Sequence, residues 1–172
     1  MRAFVRMMTE YNRWANDRLF ADCRTVDPVE MSRDFKAEFS SIHGTLDHIL
    51  LVDRLWLARF ANQPDPFTSY EDMVTEDFDE LAEQRAYTDE DLTLFSDSVT
   101  EAQLAKVIQF STIRDPQRLA QPLGSAMVHL FHHQSQYRAQ VQVFLHMLGA
   151  RSQILDLLHF QCQTRLGVIS LP

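Results

Sequence analysis

Apolar residues recur at steps of three and four from the start of the chain. Phe4, Met7, Met8, Tyr11, Trp14, Ala15 and Leu19 fall on one face of a helix that the pattern carries from Met1 to about Cys23. From Arg24 to Phe39 the period is lost, and Asp27-Pro28 marks a connection with room for a short helical turn. Ile42, Leu46, Ile49, Val52, Trp56 and Phe60 then define the inward stripe of a second helix, capped by Ser40 or Ser41 and running through Ala61. Residues Asn62 to Pro66 end it. After an acid-rich segment, a third helix is predicted from Phe78 to Ser98, with Leu81, Leu92 and Phe95 inward and an acidic first turn that suits its positive end.

The pattern changes again between Lys106 and Gln121. The β-prone run Val107 to Ile113 is followed by the turn signal Arg114-Asp115-Pro116, which predicts a small hairpin or arm. Pro122 opens a fourth helix and Gly149 closes it, a fixed-φ residue at the start and a φ-permissive one past the end. A last amphipathic stretch from Ile154 to about Arg165 offers Ile154, Leu157, Leu158 and Phe160 for packing across the bundle or against a second subunit. Long helices, short links and one β-prone arm predict an all-α fold: an antiparallel four-helix bundle with an extra C-terminal helix and a small arm, one domain over residues 1–172.

Composition narrows the partners. The 172 residues include 16 Lys and Arg against 24 Asp and Glu, a formal charge of -8 that repels nucleic acid and anionic membranes on average. Cys23 and Cys162 stand alone, without CxxC spacing, and are expected as reduced thiols. The N-terminus lacks a signal-peptide core and no run approaches the roughly 20 apolar residues that span a bilayer, so a soluble, cytoplasmic protein is expected.

The histidines carry the chemical interest. His43 and His48 lie on the second helix, and His129, His132, His133 and His146 on the fourth. His129, His133 and Tyr137 are four residues apart each, so they line one face at steps of about 6 Å. Two of them can chelate one ion, but a single helix cannot surround it, and His48 is the natural contributor from a facing helix. Three ligands with one open position would polarise a carbonyl or lower the pKa of a bound water or thiol. Against this stands the plainer reading of the same histidines as satisfied core or interface residues, and of Trp14, Trp56 and Tyr11 as packing residues. No Gly-rich phosphate loop, GxSxG elbow or HExxH motif is present, and the acidic run Glu71 to Glu83 lacks EF-hand spacing and reads as a solvated face.

Three segments resemble the DinB-like family: Tyr11-Asn12-Arg13-Trp14-Ala15-Asn16, the run SIHGTLDHILLVDRLWLARF at Ser41 to Phe60, and HLFHHQSQYRAQV at His129 to Val141. The second keeps His48, Asp53 and Trp56 in the family's order. The resemblance implies a four-helix bundle, commonly a homodimer, with a divalent metal (zinc, nickel or iron) held by one histidine of the second helix and two of the fourth. His48 and His133 match the first two ligands. The third position is Tyr137 here, with Gln136 at the preceding family histidine and Ala139 in place of a glycine between Arg138 and Gln140. Three outcomes follow: Tyr137 ligates as a phenolate, His129 substitutes from one turn earlier, or the site has lost its metal.

The family is similar to enzymes that use metal to activate a low-molecular-weight thiol for S-transfer to an electrophile, which makes a small thiol and an electrophilic substrate the expected partners. Arg138 is then available either to hold an anionic substrate group or to form a surface salt bridge. The alternatives are a metal-free dimeric helical protein with a binding or stress-related role, and a metal-dependent hydrolase with water in place of the thiol.

Overall fold

The structure, a computed structural model, describes residues 1–169. Its elements are α1 (Arg2–Cys23), α2 (Pro28–Met31), α3 (Ile42–Phe60), α4 (Phe78–Ser98), α5 (Glu101–Leu104), β1 (Val107–Ser111), β2 (Arg118–Pro122), α6 (Leu123–Met147) and α7 (Leu157–Thr164). The fold is mostly helical, with one two-stranded antiparallel sheet in which Phe110 pairs with Leu119. The long helices form a closed ring of contacts: α1 lies against α4 and α6, and α3 lies against the same two. Among the described residues no helix is long and apolar enough to cross a membrane.

Local chemistry sets most of the boundaries. The Ser41 hydroxyl accepts from the Gly44 N–H at 3.0 Å and starts α3, and the Asp77 carboxylate accepts from the Glu80 N–H to start α4. Thr100 and Gln103 close a capping box on α5, a helix that the apolar period does not announce. At the end of α6, Gly149 takes φ +69° while its N–H bonds the His146 carbonyl and the Ala150 N–H bonds the Leu145 carbonyl, the paired bonds of a Schellman stop.

Burial follows the predicted stripes with two shifts. Met8, Tyr11, Ala15 and Leu19 are inside, but Phe4 is exposed and Val5 fully buried in its place. At the far end α7 starts only at Leu157, capped by Asp156, so Leu155 and Phe160 are buried while the expected Ile154 and Leu158 face outward. Phe160 packs edge-on against Tyr11 with ring centres 5.8 Å apart, and the Tyr11 hydroxyl donates to the Leu155 carbonyl at 2.7 Å. α3 is buried almost all round, including Leu50, Leu51 and Leu55 beside the predicted stripe, which also draws its Asp and His side chains inward.

A charged network occupies the centre of this packing. Arg85 Nη1 of α4 meets Asp53 Oδ2 of α3 at 2.6 Å, and Arg85 Nη2 meets Asp89 Oδ1 at 3.0 Å. Asn16 Nδ2 of α1 donates to both oxygens of Asp89, and Gln134 of α6 donates to Asp53. Arg138 Nη1 reaches Asn12 Oδ1 at 2.5 Å, Gln134 Oε1 at 2.8 Å and Asn16 Oδ1 at 3.1 Å. Arg138 is only 2% exposed. Neither role expected of it, anion holder or surface ion pair, survives: its guanidinium is spent inside the helices.

Two stability predictions follow from this packing. Arg85→Met leaves two buried carboxylates without their cation and is expected to cost about 3–5 kcal/mol, read from the urea midpoint at constant m-value. Gly149→Ala meets open space yet must hold φ +69°, so a loss of about 1–2 kcal/mol is expected in the same assay.

Candidate functional site

His48 of α3 and His133 of α6 face each other where these helices pack, with Nε2 atoms 3.2 Å apart. Tyr137, one turn beyond His133, places its ring 4.6 Å from that imidazole and 4.8 Å from His48, centre to centre. Phe39 covers His48 from the other side, stacked at 3.6 Å. These side chains, with Val52, Trp56 and Tyr70, line a cavity of about 250 Å³.

The lid over His48 comes from the aperiodic connection, and a glycine lets it approach. A Cβ on Gly44 would sit 2.4 Å from the Phe39 carbonyl oxygen, so only glycine allows residues 38–39 to lie down on the first turn of α3. That brings Glu38 to the cavity. The Tyr137 hydroxyl donates to Glu38 Oε2 at 3.2 Å, and Arg114 Nη2, from the turn of the hairpin, meets Oε1 at 3.3 Å. Glu38, Phe39, Tyr70 and Arg114 all come from segments without apolar periodicity, where sequence reading has no signal for proximity.

The remaining sequence candidates disperse. His129 lies at the cavity mouth with its ring against Trp56 at 5.3 Å and 6.1 Å from the ring of His133. His43 Nε2 contacts the Thr75 carbonyl at 2.8 Å, while His132 and His146 are exposed. Cys23 is buried, and desolvation pushes its thiol up to about 12, which removes it as a nucleophile at neutral pH.

Burial dominates the electrostatics of the pair. Desolvation lowers His48 to about 4, opposed by the nearby Glu38 charge. Desolvation, then His48 and His129 as would-be cations, lower His133 to about 3. Both rings are therefore neutral at neutral pH, which is the form that ligates metal. The Tyr137 hydroxyl is shifted the other way, raised by desolvation and by Glu38.

The donors fit a divalent ion at two positions. Two nitrogens each about 2.0–2.1 Å from a tetrahedral ion would lie about 3.3 Å from each other, close to the observed 3.2 Å. The same spacing also suits an Nε2–H of one neutral ring donating to Nε2 of the other. Among the described residues, Nδ1 of His133 is buried without a hydrogen-bond partner, and Nδ1 of His48 has none of ordinary geometry. Among the described residues, no cluster of three His, Cys, Asp or Glu side chains is close enough to hold a metal.

The DinB family profile matches residues 1–166. The chain belongs to the DinB family. The crystal structure of a DinB-like protein from Bacillus cereus is similar in fold, with a TM-score of 0.58 at 15% identity, covering 86% of this chain and 89% of that one. No curated protein matches the chain. Within this DinB-family chain, the segments that carry the resemblance divide between two tasks. Asn12, Asn16, Asp53 and Arg138 belong to the buried network, and His48, Trp56, His133 and Tyr137 to the cavity.

The histidine shifts have a sign that can be measured. Each folded pKa lies below the ordinary 6.5, so from 6.5 down to about 4 for His48 and about 3 for His133 the unfolded chain binds protons that the folded one does not. This part of the stability is present in full above 6.5 and is lost as pH falls through that window. Buried Asp53, raised to about 6 by desolvation, contributes the opposite sign over part of this window, so the histidine part is read as a difference: in urea titrations of metal-free protein, the parent should lose more stability than the His48→Gln, His133→Gln double variant as pH falls from 6.5.

Proposed function

We propose that this protein is a metal-dependent enzyme in which His48 and His133 hold a divalent ion (zinc, nickel or iron) within an antiparallel four-helix bundle. Its activity, on this reading, is activation of a low-molecular-weight thiol for S-transfer to an electrophile. The observation that supports the metal is the convergence of two neutral Nε2 atoms at 3.2 Å on the wall of a cavity. An ion bound there would stabilise a thiolate near neutral pH and so supply a nucleophile that the buried Cys23 does not.

The chain's own residues hold and shape the site. Phe39 stacks on His48 and fixes its ring plane. For Tyr137 to donate its phenolate it must leave Glu38, and for His129 to become the third ligand it must turn away from Trp56. Water in the position of the thiol would make the same site a hydrolase. The homodimer implied by the family has exposed apolar side chains to use at Ile154 and Leu158, both 60% exposed.

A second reading is favoured by the absence of a third His, Cys, Asp or Glu in reach among the described residues. Here the pair is hydrogen bonded without metal, and the protein is a dimeric helical binding or stress-related relative.

Elemental analysis of tag-free protein after incubation with zinc, nickel or iron(II) separates the two. The metal reading expects about one ion per chain, lost in His48→Ala and in His133→Ala. Retention in Tyr137→Phe would exclude the phenolate as an essential ligand. Wild-type protein that takes up no ion overturns the proposal and leaves the metal-free reading.

A further inference from the structure

The cavity at the histidine pair is too small for more than the reacting end of a substrate. At about 250 Å³ it falls below the roughly 300–1,000 Å³ typical of small-molecule sites. Beside it, between α3, α6 and the hairpin, runs a groove of about 610 Å³. The two share Trp56, Tyr70 and His129 as walls, so the groove continues the cavity toward the hairpin.

The lining specifies the ligand chemistry. Phe110 meets Trp56 edge-on with ring centres 5.0 Å apart, and Leu119 and Val128 supply aliphatic walls. Among the described residues, the one permanently charged side chain in the lining is Arg59, and it is already occupied. Its Nε and Nη2 donate to the two oxygens of Asp65 at 3.0 and 2.8 Å, Nη2 also to the Ser111 carbonyl, and its guanidinium lies 4.9 Å from the ring centres of both Trp56 and Phe110. Its charge is neutralised and its planar group braces the aromatic wall, which leaves no free cation among the described lining residues to favour an anionic ligand. A neutral ligand gains most here, because it desolvates no charge while covering aromatic and aliphatic surface.

We infer that this groove binds the neutral, ring-bearing body of the electrophilic substrate, with its reacting end passing His129 to reach the His48–His133 pair. The inference rests on the proposed enzyme for the word substrate, but the binding of a neutral aromatic compound in the groove needs no metal. His129 thereby has a place in the wall between the two compartments, at their common mouth.

The test uses N-phenyl-1-naphthylamine, a neutral aromatic probe, with metal-free full-length protein. The chain has two tryptophans, so a Trp14→Phe background leaves Trp56 as the donor for energy transfer. Saturable binding with transfer from Trp56 is expected. Ser125→Phe, which plugs the groove from an exposed position at the start of α6 without adding a second donor, and Leu119→Glu, which puts a charge in its wall, should each weaken binding by about tenfold or more. Circular dichroism and zinc uptake of both variants should match the parent, since neither residue lies at the histidine pair. No saturable binding, or binding that both variants leave unchanged, overturns the inference. So does a parent dimer that the two substitutions convert to monomer while no form binds probe, because the groove would then be covered by a second copy. Failure of probe binding with zinc uptake intact would remove this subsite alone, whereas probe binding without zinc uptake would remove the metal reading alone.

Discussion

Two arginines and two aspartates lie inside the helices with almost no access to water, and all four long helices contribute to their neutralisation. Arg85 is held by Asp53 and Asp89, while Arg138 is held by the amide oxygens of Asn12, Asn16 and Gln134. Apolar side chains of similar volume often give comparable net stability, but loss of one partner from such a set is costly. Apolar contacts tolerate sliding, whereas these bonds are satisfied together only in one axial register of α1, α3, α4 and α6. The bond from Gln134 to Asp53 is the link that matters for chemistry, because Gln134 is the chain neighbour of His133 and Asp53 lies little more than one turn from His48.

α6 therefore carries two adjacent stripes with different duties. Gln134 and Arg138 turn into the network, and His133 and Tyr137 turn into the cavity, each pair four residues apart. The same helix rotation that buries a guanidinium also aims an imidazole at α3. Burial then sets the protonation of the histidines: with little water to support a charge, both stay neutral where free imidazole would begin to protonate. The covering segment completes this environment. Gly44 admits the Phe39 backbone, Phe39 seals His48, and Glu38 takes the Tyr137 hydroxyl.

Much of this arrangement is legible along the chain, and the exceptions share a cause. The four long helices, the hairpin and the stop at Gly149 follow from period, cap and turn chemistry, which act between near neighbours. α5 is too short to show a period, and the apolar period starts α7 too early because its true start depends on the Asp156 cap and not on the apolar residues before it. His48 and His133 were recognisable as facing residues because each lies on a strongly periodic helix. Glu38, Phe39, Tyr70 and Arg114 were not, since their positions depend on how aperiodic segments fold back onto the helices.

The sequence by itself determined the helical class, the approximate bounds of the four long helices and the family, because these rest on local spacing and on residue types in fixed order. It also named the histidines from which a metal site could be drawn. Only the tertiary structure decided which of them meet, that His129 packs against Trp56 at the mouth, and that Arg138 serves the interior and not a ligand. The reason is geometric: a helical period fixes which face a residue occupies, but its depth and its partners depend on the register and rotation of helices that are far apart in the chain.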